Sequence, residues 1–421
     1  MNKRSIFFFS NAVQFALRFL QMIAITRTLS SADLGVYYAS AAYPQLLSRI
    51  FDLGMPHAAR FYLLKFPNQV RYICKLVAIT AIGISPFIGC IFLFLHRLPI
   101  EVNEISFQIS ENWIVLSIYC LLLILNSIFN AFIISLERYK MLLITSTLPY
   151  LFFIGIIFYK ANSGSITVTD ILVQLAASEL IILLLCMIPV IRAIKQTKKV
   201  ARPFNWKDVM KYALKIYPNG LMKTMSTRFD RVVLSFIATP VFIGQYSVLM
   251  TLRDIGTIPV TTYGQTFMNE LSKAIRLTQE GLKEKGSIKK MIDKNLLYIL
   301  ALYSGGFIAF LFLQEYLLAL FFHDLSDDKI YLMSAVLMIS AIPNVLVGFI
   351  HYFFLTMNKP LHISISSGLA LASFCGFVAV TYKNLGSDSF FYAAVVSAVV
   401  GFIYLFIYYR AILKTLPGRN L

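Results

Sequence analysis

Apolar residues fall in runs long enough to cross a bilayer, and polar residues gather mostly between the runs. A spanning helix takes about 20 mainly apolar residues. Twelve segments meet that length: 5–27, 35–58, 72–95, 113–135, 141–160, 170–191, 213–237, 242–266, 295–318, 330–356, 361–382 and 390–409. The longest hydrophilic stretches, 192–212 and 268–294, are too short for a separate folded domain. The pattern predicts an all-α integral membrane protein with twelve transmembrane helices. The stretch 192–212 reads as a basic linker between an N-terminal six-helix bundle, 1–191, and a C-terminal one, 213–421.

The two halves repeat. Asn11, Arg18, Gly35-Val36-Tyr37 and Asp52-Leu53-Gly54 are echoed by Asn219, Arg228, Gly244-Gln245-Tyr246 and Asp254-Ile255-Gly256. The Gly-x-Tyr elements stand 209 residues apart, while the Asp-apolar-Gly elements slip by seven, about two helical turns. Six spans per half keep corresponding helices in the same direction. This predicts two parallel bundles related by an axis along the membrane normal.

Polar residues inside the spans are unevenly shared. Helix 1 carries Asn11, Gln14, Arg18 and Gln21, spaced 3, 4 and 3, which lines one face. Helix 2 carries Tyr38, Gln45, Arg49 and Asp52. Helix 7 carries Asn219, Lys223, Ser226 and Asp230 on one face, with Thr224, Arg228, Arg231 and Ser235 on the next. Helix 8 carries Tyr246, Arg253 and Thr257, with Asp254 beside them. Helices 3–6 and 9–12 are far more apolar, with exceptions such as Asn126, Asn130, Gln174 and Glu179. An ionisable residue inside a span costs about 2.5–3.5 kcal/mol on insertion scales, so such residues normally face a bundle interior or a water-filled cavity. Helices 1, 2, 7 and 8 are therefore expected to enclose a central cavity between the bundles.

The cations assigned to that cavity are Arg18, Arg49, Lys223, Arg228, Arg231 and Arg253; the acids are Asp52, Asp230 and Asp254. An excess of guanidinium groups suits phosphate oxygens, which they bind bidentately. The expected substrate group is an anion, a phosphate or pyrophosphate, with Asn11, Gln14 and Gln21 lining its path. The alternative for Arg49 with Asp52, and for Arg228 or Arg231 with Asp230, is an internal salt bridge that only joins helices. Arg18 and Lys223 have no acid on their own helix face. Asn126 and Asn130 read as interhelical hydrogen-bond partners. Pro44, Pro56, Pro218, Pro259 and Pro343 fall in spans and predict bends.

Charge fixes the expected orientation. The net charge is +18, from 38 Lys+Arg and 20 Asp+Glu. With the N-terminus inside, 26 of the basic residues fall on inside segments and five outside. By the positive-inside rule both termini are cytoplasmic. The run through Lys195, Lys198, Lys199 and Arg202 reads as a topology signal that also touches anionic lipid. Glu101, Glu104, Glu111, Asp324, Asp327 and Asp328 read as solvated loop charges. Only 14% of residues are charged and 58% are apolar, which excludes a soluble enzyme, a disordered chain and a nucleic-acid-binding domain. The five cysteines form no C-x-x-C pair, so no metal site or cofactor is expected.

The segment Thr26-Arg27-Thr28-Leu29-Ser30-Ser31-Ala32-Asp33-Leu34-Gly35-Val36-Tyr37, the following Asp52-Leu53-Gly54 and Leu136-Glu137-Arg138-Tyr139-Lys140 resemble a Wzx-type O-antigen/polysaccharide flippase. That family belongs to the multidrug/oligosaccharidyl-lipid/polysaccharide exporter superfamily. The twelve-helix layout extends the resemblance over the whole chain. It implies a non-enzymatic flippase in the bacterial inner membrane, moving an undecaprenyl-pyrophosphate-linked oligosaccharide from the cytoplasmic to the periplasmic leaflet. It also implies a two-bundle fold with a cationic cavity, coupling to H+ or Na+, and association with a polysaccharide polymerase and a chain-length regulator. Asp52, Asp230, Asp254 and Glu179 are the candidates for ion coupling. The Asp33-Leu34-Gly35 turn is expected to cap the start of helix 2.

Other readings fit less well. A capsule, teichoic acid or peptidoglycan precursor would suit the same architecture, although peptidoglycan-precursor flippases commonly have extra helices. A membrane polymerase or glycosyltransferase would need an external loop with a catalytic constellation, and 96–112 holds only three glutamates. A drug or cation exporter calls for an acidic cavity.

Overall fold

The computed structural model describes residues 3–66, 69–97, 109–136, 138–164, 166–196, 205–279, 285–322, 328–357, 359 and 361–415. Lys198, Lys199, Arg202, Glu101, Glu104, Asp324, Asp327 and Glu137 lie outside them. Twelve long helices follow in the predicted order: α1 (Lys3–Thr28), α2 (Ser31–Phe51), α3 (Val70–Arg97), α4 (Trp113–Ser135), α5 (Tyr139–Ser163), α6 (Val168–Gln196), α7 (Trp206–Ile237), α8 (Pro240–Gln279), α9 (Lys285–Ala319), α10 (Asp328–Thr356), α11 (Leu361–Leu385) and α12 (Ser389–Thr415). The chain is an all-α, multi-pass membrane protein. Seven described stretches are long and apolar enough to cross a membrane, and together they cover α3–α6 and α9–α12. The four long helices outside them are α1, α2, α7 and α8, the same four that carry the polar faces.

Three helices outrun their predicted spans by seven residues or more at one end: α7 starts at Trp206, α8 continues to Gln279 and α9 starts at Lys285. Hydropathy marks where apolar side chains begin, whereas backbone hydrogen bonds continue into polar turns. The start of α7 shows how. Asn205 accepts a bond from the Lys207 amide, and Asp208 accepts one from the Asn205 amide at 3.1 Å, a reciprocal capping box.

The predicted span 35–58 is two elements. Ser30 caps α2 through the Asp33 amide at 3.1 Å, and its hydroxyl donates to the Asp33 carboxylate at 2.6 Å. The cap is thus Ser30, with Asp33 supporting it from the first turn. Asp52 ends α2, Leu53 and Gly54 take positive φ (47° and 75°), and a short helix runs Met55–Lys65. Pro56 stands in the first turn of that helix, where its missing N–H is harmless. It starts an element there, which corrects the expected bend. A Cβ on Gly54 would lie 2.3 Å from the Ala213 carbonyl oxygen. Gly54→Ala combines that clash with a left-handed conformation, which alone costs about 1–2 kcal/mol. The purified variant is expected to unfold a few degrees below the parent in a thermal scan, whereas Gly83→Ala, whose Cβ meets open space, is expected to match it.

The chain forms two compact units, Met1–Val248 and Leu249–Leu421, with α8 running through the boundary. In the first unit α4 packs against α2, α3, α6 and the short helix, and α1 lies along α5. Leu116, Cys120, Phe132 and Ile133 of α4 are fully buried. Lipid tails are as apolar as leucine, so this packing rests on dispersion and close fit. In the second unit α12 packs on α10 and α11. The Ser366 hydroxyl donates to the Gly401 carbonyl at 2.9 Å, where small residues bring the α11 and α12 backbones together.

One contact carries the repeat into three dimensions. A Cβ on Gly35 would lie 1.7 Å from the Pro240 carbonyl oxygen, and one on Gly244 would lie 2.6 Å from that of Ser31. Pro240 follows Ser31 by 209 residues, and Gly244 follows Gly35 by the same interval. Residue 35 meets the copy of 31, and the copy of 35 meets 31. This is the reciprocal pattern of a two-fold contact.

Candidate functional site

Sequence placed the cations on α1, α2, α7 and α8. The first unit gathers five of them in two neighbouring groups. The first group sits where α2, the short helix and α7 meet. Arg49 donates to Asp52 at 3.1 Å (i, i+3). Asp52 is buried, and its second oxygen accepts the Gly54 amide at 2.8 Å. Its carboxylate therefore closes α2 and anchors Arg49 together. Lys223 of α7 is exposed and stands near enough for Arg49 to repel it. His57 senses the charges of Asp52, Arg49, Arg60 and Lys223. Tyr217 fastens this end, donating to the Ile50 carbonyl at 2.8 Å.

The second group lies around the tyrosines of α2, α4 and α5. Arg18 Nε donates to the Tyr150 hydroxyl at 3.1 Å, its guanidinium 6.0 Å from the ring centroid. Arg231, only 3% exposed, lies over the Tyr38 ring at 5.6 Å. Arg228 and Arg231 both act electrostatically on Tyr37, and Arg228 also reaches Tyr119. Gln14 and Gln21 are half-buried on α1, and the side chain of Asn11 lies outside those described. Asp230 is buried between two donors, the Tyr246 hydroxyl at 2.7 Å and the Arg231 amide at 2.8 Å. Glu179 of α6 accepts from Asn126 Nδ2 at 2.6 Å, and its charge reaches Arg18. The charge facing Arg18 thus comes from another helix, where inspection of α1 alone does not look.

In the second unit Arg253 is buried. It donates to Asp254 at 2.8 and 3.2 Å and to the Ser340 hydroxyl at 3.5 Å. The pair reads as an adjacent ion pair tied to α10.

Tyr150, Tyr119 and Tyr43 were not picked out from the sequence as polar residues, and Tyr246 was placed on the polar face of helix 8 without a partner. Each is a phenol reaching a polar group on another helix: Arg18, Gln45, Ser235 and Asp230 respectively. The available signal was a tyrosine deep in an apolar run, which looks like core until its hydroxyl's partner is known.

Comparison with known proteins adds three findings. Residues 2–268 match a family described as polysaccharide biosynthesis protein. A comparison with curated proteins finds no match. Several solved structures share the fold. A lipid II flippase, MurJ, in an inward closed conformation is 13% identical with TM-score 0.75, over 96% of this chain and 87% of that one. An inward-facing multidrug resistance MATE transporter of the MOP superfamily is 13% identical with TM-score 0.73, over 96% and 95%. A MOP superfamily transporter from Pyrococcus furiosus, described as having a binding pocket of reverse polarity, is 12% identical with TM-score 0.67, over 98% and 95%.

Proposed function

The chain belongs to the polysaccharide biosynthesis protein family, and from that premise we propose that it is a flippase for a lipid-linked saccharide. The substrate is an undecaprenyl-pyrophosphate-linked oligosaccharide, an O-antigen or similar repeat unit. It passes from the cytoplasmic to the periplasmic leaflet of the bacterial inner membrane by alternating access. The observation that carries this reading is the gathering of Arg18, Arg49, Lys223, Arg228 and Arg231 in one unit, on helices too polar to be ordinary lipid-facing spans. Arginine forks match pyrophosphate oxygens, the half-buried Tyr150 stands beside Arg18 where a sugar ring would follow, and the polyprenyl tail stays in lipid. Arg253, in the second unit, is the sixth cation of the proposal. The positive-inside bias supports cytoplasmic termini. Ion coupling falls to Asp52, Asp230, Asp254 or Glu179, of which Asp52 and Asp254 pair with Arg49 and Arg253 while the charge of Glu179 reaches Arg18 without a direct bond.

Cells lacking the chain are expected to lose surface polysaccharide and to accumulate lipid-linked saccharide in the membrane fraction. Mass spectrometry of that lipid identifies the sugar, and so separates O-antigen from capsule, teichoic acid or peptidoglycan precursors. The parent chain should restore export. A chain with glutamine at the two exposed cations of the set, Arg18 and Lys223, should be present in the membrane yet fail to restore it. Full export by that variant would sink the cationic mechanism, and absence of the accumulated lipid would sink the flippase itself.

A further inference from the structure

Arg18 has five N–H donors, and its described hydrogen bond, to Tyr150, uses Nε alone. That bond fixes the side chain from its stem side. The two terminal nitrogens remain as a planar fork on an exposed residue, the edge that grips phosphate oxygens in pairs.

Glu179, the carboxylate whose charge reaches that fork, is engaged elsewhere. Glu179 acts on Arg18 through space, but its described contact is with Asn126. The Asn126 amide donates to Glu179 Oε2 at 2.6 Å and to the Glu179 carbonyl oxygen at 2.7 Å. One side-chain amide thus grips both the carboxylate and the backbone of the same residue. The Asn126 Oδ1 atom is buried without a partner, so the amide is oriented for Glu179 at some cost to itself. The other polar groups around this point are Tyr119, which accepts from Gln45 at 3.5 Å, Tyr150, and Arg228, whose charge reaches Tyr119. An arginine balanced at a distance but not occupied by its acid is a receptor for another anion.

We propose that Tyr150 and Asn126 are positioning residues of a diphosphate-headgroup site centred on Arg18: Tyr150 aims the guanidinium fork, and Asn126 keeps Glu179 from closing it. The inference rests on the lipid-linked-saccharide reading and assigns the pyrophosphate to this point of the first unit. Diphosphate oxygens occur both in a lipid headgroup and in free pyrophosphate. The half-apolar surroundings on α1 and α5, with Leu148, Leu151 and Phe152 exposed beside Tyr150, favour the lipid.

The test is binding to the purified full chain in detergent micelles, with undecaprenyl pyrophosphate as the probe, and with inorganic pyrophosphate and undecaprenol as the two other arms. Tyr150→Phe keeps the ring and removes the hydroxyl. It is expected to raise Kd about tenfold, the scale of one hydrogen bond to a charged group. Arg18→Gln should raise it further, and Tyr150→Phe should then add nothing, because the hydroxyl acts only through Arg18. Asn126→Leu should weaken binding by freeing Glu179, and Glu179→Gln in the same chain should restore it. Unfolding midpoints without ligand give an independent readout of merely structural damage. An unchanged Kd in Tyr150→Phe, or an equal loss with and without Arg18, overturns the assignment. A failed rescue by Glu179→Gln overturns the role of Asn126. Binding of inorganic pyrophosphate as tight as that of the lipid overturns the lipid source. Intact probe binding with no accumulation of lipid-linked saccharide in cells defeats the flippase reading alone; export that ignores Tyr150 and Arg18 binding defects defeats this inference alone.

Discussion

Gly35→Ala is expected to lower the unfolding midpoint of the detergent-solubilised chain by several degrees. The new Cβ would fall 1.7 Å from the Pro240 carbonyl oxygen and 2.9 Å from its Cα. These are backbone atoms at the start of α8 and cannot swing aside as a flexible side chain can. Overpacking typically costs about 1–3 kcal/mol, and a backbone obstacle puts this case at the upper end. For a chain of this length, about 3 kcal/mol corresponds to roughly 3–4 °C. Gly244→Ala, with 2.6 Å to Ser31 O and 3.0 Å to the Gly35 amide, should show a smaller loss of the same kind. Because both replacements part the same two turns, their effects should be less than additive. Gly155→Ala and Gly220→Ala, whose Cβ atoms meet nothing within 4 Å, are the controls. A Gly35→Ala midpoint equal to theirs would disprove the close approach.

Asp230→Ala is expected to be the most destabilising single change among the polar residues of α7. Interhelical hydrogen bonds in membranes average only about 0.6 kcal/mol by mutant cycles, so loss of the Tyr246 bond alone would be modest. The larger effect is electrostatic. Asp230 and its neighbour Arg231 are both buried; removing the carboxylate takes that acceptor from the Tyr246 hydroxyl and the Arg231 amide, at about 1–3 kcal/mol each, and leaves a buried cation beside them less compensated. Asp230→Ala should therefore cost about 3 kcal/mol or more, and Tyr246→Phe about 1 kcal/mol. Asp230→Asn keeps an acceptor for Tyr246 and separates the two contributions. If Asp230→Ala and Tyr246→Phe unfold alike in denaturant titration, the charge contributes nothing and the hydrogen bond accounts for the whole effect.

The helices were legible because their cause is local. In a bilayer every backbone group must bond within its own segment, so a run of about 20 apolar residues has essentially one solution. That logic finds α3–α6 and α9–α12 without ambiguity, and the 3–4 spacing of Gln14, Arg18 and Gln21 finds the polar face of α1. It misjudged 35–58, because Asp52-Leu53-Gly54 is apolar enough on average to pass as membrane helix. The break depends on two left-handed residues and on Asp52 accepting the Gly54 amide, which average hydropathy does not register. The repeat was visible as a 209-residue offset, but the touching of Gly35 and Gly244 was not.

The amino-acid sequence by itself marked out the twelve long helices seen among the described residues and the four of them that carry the charged faces. Only the tertiary structure decided what those charges face. Arg18 meets Tyr150 and the field of Glu179 across sequence separations of more than a hundred residues, and Asp230 is spent on Tyr246 and a backbone amide. Helix periodicity reports which side chains share a face. The neighbour that faces them is set by packing between segments, and a single helix carries no record of it.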